Sequence, residues 1–289
     1  MPTLEQGKNM HFYYNPVSEE IRKMCWNQGD WRFYKYYREW QWKTYLLAKD
    51  ICKEEKIYVL HQLNMIGFRE PGYLWKLSKE TNIPFVWGPV DAKDKFPVAY
   101  LGGASMKTKL FMRLKNFLTV WQLKHSTRVR QAASQASVIF SASSNSKESF
   151  YTYMAIDSPL LNETGCYVQE HPLIDKSQKE TFDVLWVGKL DFRKQLGIAL
   201  QSVAITGNEN IRLHIVGGGE AVNEKVGKKI LLSNPSKSSQ SFATILNELE
   251  GNRDLLKQMS ENCKQRQIDL SWDEKAKTMV GWYEKIVKA

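Results

Sequence analysis

Residues 181 to 206, TFDVLWVGKLDFRKQLGIALQSVAIT, followed at 210 to 219 by NIRLHIVGGG, constrain the fold more than any other part of the chain. They read as strand, basic turn, helix, strand and glycine turn, the order of a parallel βαβ unit. Val184, Leu185, Trp186 and Val187 form a short apolar run, and Gly188 opens the turn. Ile198, Leu200 and Val203 carry a helical stripe that stops at Gly207. Lys189, Arg193 and Lys194 fall between strand and helix. There, cations and the free N–H groups of a helix N-terminus jointly hold a diphosphate. The second strand runs into Gly217, Gly218 and Gly219, so an anionic ligand is expected at this end of the sheet.

The same alternation continues upstream. Residues 18 to 56 read as helix, with Phe33, Tyr37, Trp40 and Leu47 at helical spacing. IYVLHQL at 57 to 63, IPFVWGPV at 83 to 90 and SVIFSAS at 137 to 143 read as strands, with a helix over 72 to 82. Strands alternating with helices predict an α/β fold built on a doubly wound parallel sheet. At 289 residues the chain has room for two domains, and the linker is placed at HPLIDKSQKET, 171 to 181.

Charge narrows the partners. The net charge is +10, from 41 basic and 31 acidic residues, which favours anionic ligands or surfaces. The basic residues cluster in SMKTKLFMRLKNFLTVWQLKHSTRVRQ, 105 to 131, where Leu110, Leu114, Phe117 and Trp121 make an apolar line. Lys107, Lys109, Arg113, Lys115, Lys124, Arg128 and Arg130 supply cations there, with no acid among them. Such a helix suits an anionic membrane surface; the alternative is a surface helix whose apolar line packs on the sheet. No helix-turn-helix, zinc-finger or RNP signature points to nucleic acid. Cys25, Cys52, Cys166 and Cys263 have no ligand spacing, so free thiols in a reducing compartment are expected and no metal site is. The start of the chain lacks the order of a signal peptide, and no run of about 18 apolar residues suits a membrane span. A cytoplasmic protein, peripheral at the inner membrane face if 105 to 131 binds lipid, is the expectation.

Gly188, Lys189 and Lys194, with the turn at Gly217 to Gly219, resemble the donor half of a family 4 retaining glycosyltransferase of the GT-B fold. Its nucleotide-sugar site has a G-R/K-x-x-x-x-K loop and a following strand that ends in G-x-G. HQLNMIGFREPGYLW at 61 to 75, PFVWGPVD at 84 to 91, QASVIFSASSNSKESF at 135 to 150, LLNETGCYV at 160 to 168 and SWDEKAKTMVGWYEKIV at 271 to 287 match further parts of the family in order. The resemblance implies a GT-B-like α/β fold of two Rossmann-like parallel-sheet domains facing a cleft, both incomplete. Residues 1 to 175 would form the acceptor-side domain without its first βα unit, MPTLEQGKNMHFYYNP resembling a later strand of the family. Residues 176 to 289 would form the donor domain without its central part, the last helix, about 272 to 288, packing back on the N-terminal half. The family's acidic E-x7-E segment is absent; Glu220 and Glu224 lie only four apart.

The resemblance further implies transfer of a hexose from a nucleotide-diphosphate sugar to a saccharide or lipid-linked acceptor, with no metal and no cofactor. The alternative is a shortened, inactive or weakly active relative that serves as a binding or peripheral membrane module. By resemblance, His61 is the catalytic-side residue facing sugar or acceptor. Arg69, Gly88 and Pro89 lie on the acceptor side, and Gly188, Lys189, Arg193, Lys194 and Gly217 to Gly219 bind the donor diphosphate. Read from the residues alone, His61 ends a strand, where open α/β sheets place ligands, and is equally suited to a structural hydrogen bond. Arg69 and Glu70, in the loop beyond that strand, suit either acceptor binding or a surface ion pair, and the ion pair is the favoured reading of Glu70.

Overall fold

The computed structural model of the chain describes residues 10–25, 32–63, 65–92, 95–102, 104–168, 170, 172, 179–188, 194–216 and 234–288. Among them the chain forms an α/β fold with two separate parallel sheets and divides into two compact units. The first comprises Met1–Asp94, Thr119–Glu163 and Gly281–Ala289; the second comprises Lys95–Leu118 and Thr164–Val280.

The first unit is built on three parallel strands in the order β1-β2-β3: Leu60–Gln62, Phe85–Val90 and Ala136–Ser141. Central β2 reads FVWGPV and is buried at every position except Pro89, as expected of a strand covered on both faces. Phe85, Trp87, Val90 and Ile139 meet Leu77, Val129, Ala132 and Phe150 from the surrounding helices. These helices are α1 (Glu19–Cys25), α2 (Phe33–Glu54), α3 (Leu74–Thr81), α5 (Thr127–Gln135) and α6 (Ser144–Met154). Strand β1 is shorter than its apolar run. Leu60 donates to the carbonyl of Pro84 at 2.9 Å, and that proline, with no N–H, stands where the ladder would extend.

Three expectations change. Of MPTLEQGKNMHFYYNP, which resembles a family strand, residues 1–9 lie outside the described residues and 10–16 carry neither helix nor strand; Trp40 donates to the Asn15 carbonyl at 2.8 Å and Asn15 to Thr44 Oγ1 at 2.9 Å, so the segment follows α2. The basic helix expected over 105 to 131 breaks at Ser126, extended at ψ 108°, whose hydroxyl caps α5. The break separates α4 (Met106–His125), which runs through both units, from α5.

The third concerns Glu70, which is fully buried, not a surface partner. Its Oε1 accepts from Arg38 Nε at 2.8 Å and Nη2 at 2.6 Å, and its Oε2 accepts from Arg128 Nη1 at 2.6 Å. Arg128 also lies 4.5 Å from the centroid of the Tyr73 ring. One carboxylate therefore joins α2, the loop after β1 and α5.

The second unit has a smaller sheet, β4 (Phe182–Val187) paired in parallel with β5 (Ile211–Val216) over six residues, with α7 (Leu196–Thr206) as the crossover. Helices α8 (Pro235–Gly251) and α9 (Arg253–Asp269) each begin on an asparagine cap: Asn234 accepts from Lys237 N at 3.0 Å and Asn252 from Leu255 N at 2.9 Å. Ahead of α10 (Trp272–Lys288), the Cys166 backbone brackets Leu270 and Trp272, accepting from Trp272 N at 3.0 Å. Among the described residues Cys52, Cys166 and Cys263 form no disulfide. Among the described residues no helix is long and apolar enough to cross a membrane.

Losing Arg128 would leave Oε2 of the buried Glu70 carboxylate without its partner while Arg38 keeps Oε1, a loss of roughly 1 to 3 kcal/mol. Arg128→Leu is expected to lower the urea midpoint of the first unit by that equivalent. Glu70→Ala combined with Arg128→Leu should restore part of the loss, because the half-satisfied buried carboxylate is gone and Arg38, itself partly exposed, is left to solvent.

Candidate functional site

The β4–α7 crossover is where the sequence places an anion. Strand β4 ends at Val187, and at Gly188 an added Cβ would lie 2.7 Å from the Trp186 indole and 3.4 Å from Lys194 Cβ. A larger residue there would require the Trp186 ring to shift. Lys194 is exposed, directly before the first turn of α7. Gln195 occupies the cap position with φ 52° and makes no side-chain cap bond, while its carbonyl accepts from Ile198 N at 2.9 Å. Its amide instead donates to the Tyr100 carbonyl at 3.1 Å. Lys189, Arg193 and Gly217 to Gly219 lie outside the described residues.

Beside this turn is a cavity of about 450 Å³. One wall is the β4–β5 sheet, with Val184, Trp186 and Leu213; the other is α7 and α8, with Ile198 and Phe242. Phe96 and Tyr100 complete the lining, and Lys194 and Gln195 are its polar members. Tyr100 is fixed by a 2.6 Å bond between its hydroxyl and that of Ser238. Phe96 is held through both backbone groups by the Asn116 amide at 2.9 Å. The arrangement suits a flat apolar ring that carries an anionic group on the side of Lys194.

The candidate residues of the first unit form a different cluster. His61 Nε2 lies 2.6 Å from the Gly88 carbonyl. A carbonyl oxygen can only accept, so Nε2 carries the proton, and Nδ1 accepts from the Tyr283 hydroxyl. Both ring nitrogens have partners within the fold, and burial pushes the imidazole pKa below its ordinary value. Gly88 has φ 120°, and a Cβ there would meet the Phe140 carbonyl at 2.5 Å; the bond to Pro89 is cis. Arg69 is also engaged, donating from Nε to Gln122 Oε1 at 2.5 Å and from Nη2 to Thr119 Oγ1 at 2.6 Å. Asp91, one residue past β2, accepts from Ser146 Oγ at 3.0 Å near the start of α6.

Each unit thus gathers some candidates and leaves others apart. Gly188 and Lys194 meet at one turn, and His61 and Gly88 meet at the strand ends with Tyr283, which the sequence reading passed over. Tyr283 lies 222 positions from His61, and no local signal connects them. Tyr100 and Phe96 were also missed, because they line the cavity from a short turn that has no periodicity. Among the described residues no group of three or more His, Cys, Asp or Glu is placed to hold a metal ion. No family model, curated protein or solved structure matches the chain.

Two outcomes are expected. Gly88→Ala should cost about 2 kcal/mol or more by urea unfolding, since it adds strain at positive φ to a backbone clash. The depressed His61 pKa sets the sign of the second. Above about pH 6.5 the imidazole is neutral folded or unfolded; below it the unfolded chain takes up the proton first, so stability falls with acidity down to the folded pKa. Wild type should therefore lose more stability than His61→Gln between about pH 7 and pH 5, measured by urea unfolding.

Proposed function

We propose that this chain is a glycosyltransferase of the GT-B, family 4 type, moving a hexose with retention from a nucleotide-diphosphate sugar to a saccharide or lipid-linked acceptor of cell-surface glycoconjugate synthesis. The observation that carries the reading is the juxtaposition in the second unit of Lys194, the N-terminus of α7 without a side-chain cap, and the aromatic-lined cavity of about 450 Å³. A nucleotide diphosphate needs that pair of environments side by side, one for a flat base and one for a charged linkage. The parallel order of β4, α7 and β5 supports the reading, since ligands of such sheets sit beyond the carboxyl ends of the strands.

In this reading the Lys194 ammonium and the first N–H groups of α7 bind the diphosphate. They act most strongly as negative charge grows on the leaving group, which is electrostatic stabilisation of the transition state. His61 is assigned a positioning role: its Nε2–H holds the Gly88 carbonyl, and its other nitrogen is taken by Tyr283.

A second reading, a chain that binds the nucleotide sugar without turning it over, is favoured by one observation. The sequence lacks the acidic E-x7-E segment that the resemblance calls for at the sugar hydroxyls. Lost contacts of that kind remove about 1 to 3 kcal/mol each from transition-state binding.

Calorimetric titration with uridine and guanosine diphosphates and their sugars tests the donor site. Binding is expected, and Lys194→Ala should weaken it roughly 10- to 100-fold, the equivalent of one lost charge-assisted contact. Absence of binding to every nucleotide, or binding indifferent to Lys194→Ala, would reject the assignment. Release of sugar or its transfer to a supplied acceptor separates the two readings.

A further inference from the structure

Helix α4 carries two apolar stripes. Met112, Asn116, Thr119 and Leu123 follow a spacing of four, three and four, and so do Leu110, Leu114, Phe117 and Trp121. The sets are offset by two positions, about 200° around the helix, and lie on opposite faces. The first faces inward: Met112, Thr119 and Leu123 are buried, Thr119 Oγ1 accepts from Arg69 at 2.6 Å, and Asn116 is bonded to Phe96. The second faces solvent. Leu110, Leu114, Phe117 and Trp121 are 51% to 70% exposed, and Met106 and Phe111 extend the patch. A surface helix whose inward face already serves the core has no folding reason to present a second row of large apolar side chains.

The charges around the exposed row name what would cover it. Lys107 and Arg113 are exposed on α4, whereas the Lys124 ammonium lies over the Tyr153 ring, and residues 105–131 contain no Asp or Glu. Arg128 does not join them, because its guanidinium is committed to Glu70. We propose that the outward face of α4 is a docking site for an anionic lipid bilayer: Leu110, Phe117 and Trp121 enter the interface, and Lys107 and Arg113 face the headgroups. Apolar area supplies the insertion and cations select the anionic surface. A folded protein partner would need acidic side chains placed against these cations, and nucleic acid would leave the apolar row in water. The proposal is independent of the donor-site reading, whose residues lie elsewhere in the chain.

The test is co-sedimentation of the full-length protein with phosphatidylglycerol-containing vesicles and with pure phosphatidylcholine vesicles. Retention on the anionic vesicles is expected, declining with added salt. Phe117→Glu combined with Trp121→Glu should lower partitioning roughly tenfold or more, from lost apolar burial. Lys107→Gln combined with Arg113→Gln should lower it roughly 25-fold, about fivefold per cation. These side chains are exposed, so unchanged circular dichroism and thermal midpoint identify the loss as one of binding. Three results would overturn the proposal: no retention by anionic vesicles, retention untouched by the Phe117 and Trp121 changes, or self-association abolished by those changes without vesicle binding. Binding to an oligonucleotide in place of vesicles would overturn it as well.

Discussion

The first unit depends on one buried charge. Glu70 has no exposed surface, and both of its oxygens are taken by arginines that come from helices far apart in the chain. Such a carboxylate is costly to bury alone and specific once paired, because only one relative placement of α2, the 66–73 loop and α5 satisfies it. Arg69, beside it, adds bonds to Gln122 and Thr119 that tie the same loop to α4. The loop thus becomes rigid without regular structure, and it positions both the start of α3 and the strand ends beside it.

Those strand ends show what rigidity does to a candidate site. In an open α/β sheet the carboxyl ends of strands are the usual place for ligands. Here His61, Gly88 and Tyr283 hold one another there. A histidine with both nitrogens bonded and a depressed pKa is a neutral brace, and it fixes the carbonyl of a glycine that no larger residue can replace. The second unit is arranged differently. Its cation and the N-terminus of α7 border a cavity lined mainly by apolar side chains. His61, Arg69 and Glu70 of the first unit are bonded to neighbours within it, whereas Lys194 lies at the edge of that cavity.

Helix α4 extends the same contrast to the surface. Its inward row is partly polar and bonded, with Thr119 receiving Arg69 and Asn116 holding Phe96. Its outward row is purely apolar and exposed. This distribution is inverted relative to an ordinary surface helix, and it is the basis of the proposed bilayer contact, to which the flanking cations would give an anionic preference.

The order of strands and helices was legible in the sequence because it rests on short-range periodicity. FVWGPV is an apolar run suited to a buried parallel strand and FDVLWV a run bounded by a glycine turn, and Gly188, Lys194 and the stripe of α7 are local to one crossover. The apolar line on α4 was visible for the same reason. Its exposure was not, since two stripes two residues apart look alike until one is covered. Tertiary structure alone decided that Glu70 is buried, that Arg128 serves it and not a surface, that Tyr283 meets His61, and that Phe96 and Tyr100 close a cavity over β4. Each of these joins residues distant in the chain, and the free energy of such pairs comes from burial and mutual satisfaction of polar groups. Neither has any signature in the neighbouring sequence.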